Sequence, residues 1–287
     1  MAPPANMDRM SLVYCGDPYD HRRKKCGLRL TDQFLISARS VRKNWSKAIP
    51  IIFIHTRELS SELAAQMDEL HVTRIRAPGP IEQGFPLANK LLAGPHYCGT
   101  ADALFLDCDT IIHCEPSFRA PSGFAVTYDC LESVTPDILG AFFEAVGAPP
   151  PVGTPSDKPS HDYYYHDRTD LLPYFNAGVF FLKRELQRPL YSEWLRTLRI
   201  AFDRFRGAPF EFYVEQLSFI AAIHRLNFKW DLFPKGINFI CTPRAPYLLE
   251  WPKSAIVIEH YAGDTSKPLI FDGERIDPIR SGILKAE

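Results

Sequence analysis

The sequence lacks a surplus of charge of either sign. Its 33 Lys and Arg residues stand against 34 Asp and Glu, a formal net charge of -1 over 287 residues. A protein that coats a polyanion or an anionic membrane needs a net basic field, so the balance excludes general nucleic-acid binding and leaves room only for a local basic patch. Long apolar runs are missing as well, and no run reaches the roughly 18 residues that a membrane-spanning helix requires. The opening residues Met1-Ala2-Pro3-Pro4-Ala5-Asn6 show no basic stretch followed by an apolar one, so no secretory signal is expected. Cysteine is sparse and has no C-x-x-C spacing: Cys15, Cys26, Cys98, Cys108, Cys114, Cys130 and Cys241 are odd in number. That pattern reads as reduced thiols in a cytoplasmic protein and argues against zinc. Glycine is scarce beside proline, 16 against 25, which predicts stiff loops.

What is present describes a globular chain. Hydrophobic residues make up 46% and charged residues 23%, enough to bury a sizeable core. The first part alternates strand and helix signals. Residues 11–15 and 49–54 read as buried strands, and Val72 to Ile75 as a weaker one. Thr31 is placed to cap a helix with Phe34, Leu35, Ala38 and Val41 on one face, and Ser60 or Ser61 to cap another through Leu63, Met67 and Leu70. A helical stretch over 87–92 leads to a fourth strand, Ala103-Leu104-Phe105-Leu106. Further on, 123–128 and 179–182 read as strands. Leu190, Trp194, Leu198, Phe202 and Phe205 mark a long helix, and 216–226 another. The proline-rich stretch 147–159 can only be a loop. The expectation is one α/β domain with a mostly parallel, Rossmann-like central sheet flanked by helices: a first half over 11–115, a second half over 116–270, and 271–287 as a tail.

Leu104-Phe105-Leu106-Asp107-Cys108-Asp109-Thr110 carries the sharpest chemistry. Side chains two apart on a strand share a face, so Asp107 and Asp109 are expected to converge past the strand end, where open α/β sheets bind ligands. Two carboxylates there repel unless a cation lies between them, and such hard oxygen ligands suit Mg²⁺ or Mn²⁺ holding a diphosphate. The plain alternative is a polar strand end with one aspartate capping a turn. Asn176, in Tyr174-Phe175-Asn176-Ala177-Gly178-Val179, offers an amide donor and acceptor to ligand hydroxyls, and Gly178 permits close approach of backbone to a ligand. Glu215-Gln216 heads a helical stretch. His260 follows the strand-like run 254–258 and can give a nitrogen to the same cation. The segment 161–168, with Tyr163, Tyr164 and Tyr165 in a row, is either an acceptor-facing loop or an anchor onto the core. Basic Arg22-Arg23-Lys24-Lys25 is either solvated or phosphate-facing.

Four segments in this order resemble the nucleotide-sugar glycosyltransferases of the A-type fold, and within them the retaining family 8: Asp107-Cys108-Asp109, then Tyr174 to Val179, then Glu215-Gln216, then His260-Tyr261-Ala262-Gly263 with Lys267-Pro268. The resemblance implies a metal-dependent transfer of a hexose from a UDP-sugar to an acceptor hydroxyl with retention of anomeric configuration, with 11–115 as the nucleotide-binding half and 116–270 as the sugar and acceptor half. It implies metal ligation by Asp107, Asp109 and His260, and donor contacts from Asn176 and Ala177. Glu215 and Gln216 fall at the reactive face, Lys90 near the donor phosphate or sugar, and Gly263 and Lys267 at the diphosphate. Cys108 belongs to the motif. Tyr14, Asp17 and Tyr19 fall where the family binds the base, with Asp17 accepting from a uracil N–H and Tyr19 stacking on the ring. The family has Asp where Glu215 stands, and one residue fewer between the histidine and Lys-Pro.

Two other functions compete. Phosphatases of the haloacid-dehalogenase type also use an aspartate pair after an apolar strand. Their pattern wants Thr or Val where Ile111 and Ile112 follow, sits near the start of the fold, and needs late metal ligands for which only Asp272 and Asp277 offer themselves. A nucleotide-sugar-binding protein without catalysis is the third reading.

Overall fold

The structure, a computed structural model, describes residues 10–18, 29–45, 49–129, 134–153, 172–234, 236–240, 256–260, 270–271 and 274–275. Its frame is a seven-stranded sheet in the order β3-β2-β1-β4-β7-β6-β8, built from β1 (Met10–Gly16), β2 (Ile51–His55), β3 (Val72–Arg76), β4 (Asp102–Leu106), β6 (Phe124–Val126), β7 (Val179–Leu182) and β8 (Asp231–Leu232). β1 is parallel to β2 and β4, and β2 to β3; β7 runs antiparallel between β4 and β6. Strands from both expected halves therefore share one sheet. A second sheet joins β5 (Thr110–Ile112), β10 (Ile258–His260) and β9 (Phe239–Ile240), and β11 (Ile270–Phe271) pairs with β12 (Glu274–Arg275).

The apolar strands are continuous because both faces of the sheet are covered. Alternation sends Leu12, Tyr14, Leu104 and Phe181 to one core, with Phe34 of α1 (Leu30–Asn44), Phe53, and Leu63 and Met67 of α2 (Ser61–Glu69). Val13, Phe105, Phe180 and Leu182 face the other, with Phe142 of α4 (Pro136–Val146), Trp194 of α5 (Arg184–Phe205) and Phe219 of α6 (Val214–Arg225). Phe105 stacks on Phe180 at 4.9 Å across the β4–β7 pair.

Several sequence expectations are corrected here. The N-cap of α1 is Arg29, whose backbone N–H donates to the Asp32 carboxylate at 3.1 Å; Thr31 lies inside the helix and is buried. Ser60 does cap α2, accepting from Leu63 N–H. Residues Pro86–Leu92 wind as a 3-10 segment, then pass into the one-turn α3 (Ala93–His96). The strand expected over 123–128 stops at Val126, after which Tyr128 bridges only Phe175. Of the strand expected over 254–258, residues 254 and 255 lie outside the described residues, and β10 begins at Ile258. Helix α4 was not expected at all, although Thr135 caps its start and Gly147, at φ 64, ends it in the left-handed conformation that glycine favours. Cys15, Cys98, Cys108 and Cys114 are free thiols. Among the described residues no helix is long and apolar enough to cross a membrane.

Candidate active site

Asp107 and Asp109 do converge, but by a different route from strand alternation. β4 ends at Leu106, and both aspartates lie in the short turn before β5. Thr110 closes that turn, its hydroxyl donating to the Asp107 carbonyl at 2.9 Å. Ser37 Oγ lies 3.0 Å from Thr110 Oγ1, and Tyr14 OH 2.8 Å from Ser37 Oγ. Tyr14 is thus fully buried beneath the turn, and burial holds its phenol far above the ordinary range. Cys108 points the other way, into the apolar core.

β-sheet register brings in the histidine. β10 pairs antiparallel with β5 so that His260 lies opposite Thr110, beside Asp109. His260 Nε2 lies 3.5 Å from Asp109 Oδ1 and 3.9 Å from Asp107 Oδ2, and one ligand atom from each of the three residues falls within 4.8 Å of the others. Asp109 and His260 are almost wholly buried. Gly178 makes room for this ring: a Cβ there would meet His260 Cε1 at 2.2 Å. Its smallness serves the histidine, where the sequence suggested a ligand.

The reversal of strand direction at β7 supplies the next residues. Because β7 is antiparallel to β4, its entry meets the exit of β4, and Asp107 N–H donates to the Gly178 carbonyl at 2.7 Å. Lys90, from the 3-10 segment, spans the gap. Its ammonium lies 3.0 Å from Asp107 Oδ1, 3.1 Å from Oδ2 and 3.5 Å from Glu215 Oε2, and it donates to the Ala177 carbonyl at 3.3 Å. Glu215 and Gln216 occupy the first turn of α6, where a carboxylate meets the positive end of the helix dipole. Trp194 of α5 anchors that turn by donating to the Glu215 carbonyl.

Two residues that the sequence reading passed over complete the constellation. Asp129 Oδ2 accepts from Asn176 Nδ2 at 2.9 Å and from Gln216 Nε2 at 3.0 Å. Asn238, at φ 57, lies 3.0 Å from His260 Nδ1 through its Oδ1 and donates from Nδ2 to Asn176 Oδ1 at 3.2 Å. The base of this region is pinned by backbone: Asp129 N–H donates to Tyr174 O and Asn176 N–H to Thr127 O, with the Tyr128 and Phe175 rings stacked at 5.5 Å. Asp129 carried a signal of its own, since it ends an apolar strand-like run as Asp107 does.

Lys90, Asp107, Asp109, Asn176, Ala177, Glu215, Gln216 and His260 are therefore gathered in one place. Asp17 is instead ion-paired with Arg57 at 3.1 Å, past the ends of β1 and β2. Tyr19, Gly263 and Lys267 lie outside the described residues, as do Arg22 to Lys25, the segment 161–168, Asp272 and Asp277. The carboxylates Asp107, Asp109, Asp129 and Glu215 outnumber the ammonium of Lys90, so the described site is net negative. Two carboxylate oxygens and an imidazole nitrogen, closely spaced and mostly desolvated, form a donor set that fits a hard divalent cation such as Mn²⁺ or Mg²⁺.

No protein-family model matches the sequence, and no curated protein matches it. Solved structures do resemble the fold. An active-site mutant of LgtC aligns over 97% of both chains with a TM-score of 0.58 at 13% identity. Mouse xyloside xylosyltransferase 1 in its apo form aligns over 91% of this chain and 99% of its own, with a TM-score of 0.51 at 15% identity. The apo WbbM bifunctional glycosyltransferase is matched over 100% of this chain with a TM-score of 0.54 at 12% identity. The chain spans about half the length of the WbbM and of the Streptococcus pneumoniae GlyE structures. The architecture is thus the A-type glycosyltransferase fold, as expected.

Proposed function

We propose that the protein is a metal-dependent glycosyltransferase that moves a hexose from a UDP-sugar to an acceptor hydroxyl with retention of anomeric configuration, as in family 8. The observation that carries the reading is the convergence of Asp107, Asp109 and His260 with Lys90, Glu215 and Asn176 around one negative site. The fold supports it, and one LgtC structure of that fold was solved with donor and acceptor sugar analogues.

In this reading Asp107, Asp109 and His260 hold Mn²⁺ or Mg²⁺, whose charge, when it is bound, neutralises the diphosphate as it departs. Lys90 turns its ammonium toward the donor, and Gly263 and Lys267 meet the diphosphate. Asn176 and the backbone at Ala177 hold the sugar, Glu215 binds its hydroxyls, and Gln216 lies at the reactive face. Asp17 and Tyr19 receive the uracil, while Tyr14 and Cys108 hold the floor. The acceptor oxygen bonds to the anomeric carbon as the bond from that carbon to phosphate breaks, and the acceptor proton passes to the leaving phosphate on the same face. No side-chain base is needed, and catalysis rests on fixed charges and position. Residues 1–287 act as one transferase domain, in the cytoplasm, in line with the free thiols.

A screen of UDP-sugars for Mn²⁺-dependent donor hydrolysis and transfer tests the proposal, with simple phosphomonoesters as the control. Turnover of a UDP-sugar that EDTA abolishes supports it. Phosphate release from the control substrates points to a phosphatase. Tight UDP and Mn²⁺ binding by calorimetry with no turnover points to a binding protein.

A further inference from the structure

The polar groups behind the metal-facing histidine run in one direction. Asn176 is pinned at both ends by groups that cannot exchange roles. Gly178 N–H can only donate, and it reaches Asn176 Oδ1 at 2.8 Å; the Asp129 carboxylate accepts from Asn176 Nδ2 at 2.9 Å. With Asn176 Oδ1 fixed as an acceptor, the Asn238 atom 3.2 Å away must be its Nδ2. Its Oδ1 then faces His260 Nδ1 at 3.0 Å and can only accept. The neutral ring must therefore carry its proton on Nδ1, leaving the lone pair on Nε2, the nitrogen that lies toward Asp109 and Asp107. Asn176, Asn238 and His260 are all buried, so water offers no cheap replacement partner.

The same Asp129 oxygen also accepts from Gln216 Nε2, which turns the Gln216 carbonyl oxygen away from Asp129. One carboxylate thus governs two otherwise separate features of the site.

We propose that Asp129 is a positioning residue: together with Gly178 N–H, and through Asn176 and Asn238, it fixes the tautomer and ring orientation of His260, and directly it fixes the amide of Gln216. This rests on the reading of Asp107, Asp109 and His260 as cation ligands, and goes beyond it by assigning a function to Asp129 and Asn238. Partners behind a ligating histidine commonly govern metal affinity by about 10–100-fold. Asp129 reaches that histidine only through two intervening amides.

Long-range ¹H–¹⁵N correlation spectra of His260 in the full chain, without metal or donor, test the first part. Protonation of the neutral ring at Nδ1 is expected, and protonation at Nε2 overturns the proposal whether or not the protein binds a cation. Correct protonation with no Mn²⁺ binding would instead overturn the functional reading and leave the chain of hydrogen bonds intact. Two variants test control by Asp129. Asp129→Leu leaves Asn176 oriented by Gly178 N–H without the carboxylate, and is expected to admit a fraction of the second His260 tautomer and weaken Mn²⁺ binding by about 10-fold in calorimetry. Asp129→Asn loses the same charge but keeps an oxygen for both amides, and is expected to hold both readings near the parent. Equal behaviour of the two variants overturns the proposal. Should the leucine variant fail to fold, protonation of the parent's His260 at Nε2 would still overturn the proposal.

Discussion

Lys90 grips both carboxylate oxygens of Asp107, at 3.0 and 3.1 Å, while its ammonium also lies 3.5 Å from Glu215. The lysine is the internal counter-charge of two largely buried carboxylates. Removing it as Lys90→Met leaves them facing each other, and stability is expected to fall by about 3 kcal/mol. A divalent cation at Asp107 would replace part of the lost charge. Mn²⁺ should therefore raise the melting temperature of the variant more than that of the parent, as thermal unfolding with and without metal would reveal. An equal rise in both would show that Lys90 and the cation answer to different carboxylates.

Asp107→Asn keeps the shape of the turn and removes one charge. Transfer with metal present should drop by about 100-fold or more, and Mn²⁺ binding should weaken in calorimetry. Full activity of the variant at saturating metal would sink the proposed mechanism.

Gly178→Ala places a methyl carbon 2.2 Å from His260 Cε1, so the ring must move. A stability loss of about 1–3 kcal/mol is expected from the forced contact. Mn²⁺ affinity should fall by about 10-fold as the nitrogen leaves its place, with an unchanged circular dichroism spectrum. Unaltered metal binding would mean that His260 is not a ligand.

Acid should weaken the fold through His224. Burial depresses its pKa, an effect only partly offset by the Pro173 carbonyl. The folded ring stays neutral at a pH where the unfolded chain takes up a proton. Its stabilisation is therefore present above the ordinary histidine range and is lost as pH falls through that range toward the depressed value. Melting temperature is expected to drop between pH 7.5 and 5, and His224→Gln should flatten part of the slope. His55, likewise depressed by burial, accounts for a further part.

The strands of the parallel half were legible because they are covered on both faces and read as unbroken apolar runs. Asp107 and Asp109 were legible because they interrupt such a run. The cap of α1 was not, since Arg29 is an unusual cap that works only because Asp32 reaches back to its N–H. Asn238 was hidden for a different reason. It matters through His260, 22 residues on, and Asn176, 62 residues back, and a single polar residue in a turn shows no such pairing in sequence. Asp129 could have been found by asking which other carboxylate ends a buried strand. The mixed direction of the sheet was not legible either, because antiparallel β7 is apolar on both faces like its parallel neighbours.

The backbone clamp between Thr127, Asp129, Tyr174 and Asn176 has a consequence for engineering. Arg225 of α6 ties down the end of α4 by donating to the carbonyls of Val146 and Gly147, and Leu172 and Tyr174 are buried in the core. The floor beneath Asn176 is thus held by backbone groups, which side-chain substitution leaves in place. Exchanging the side chains of Asn176 and Gln216 should therefore leave the chain path intact. Variants at these two positions that keep the parent's circular dichroism spectrum and cooperative melting would establish this floor as a place to diversify the scaffold.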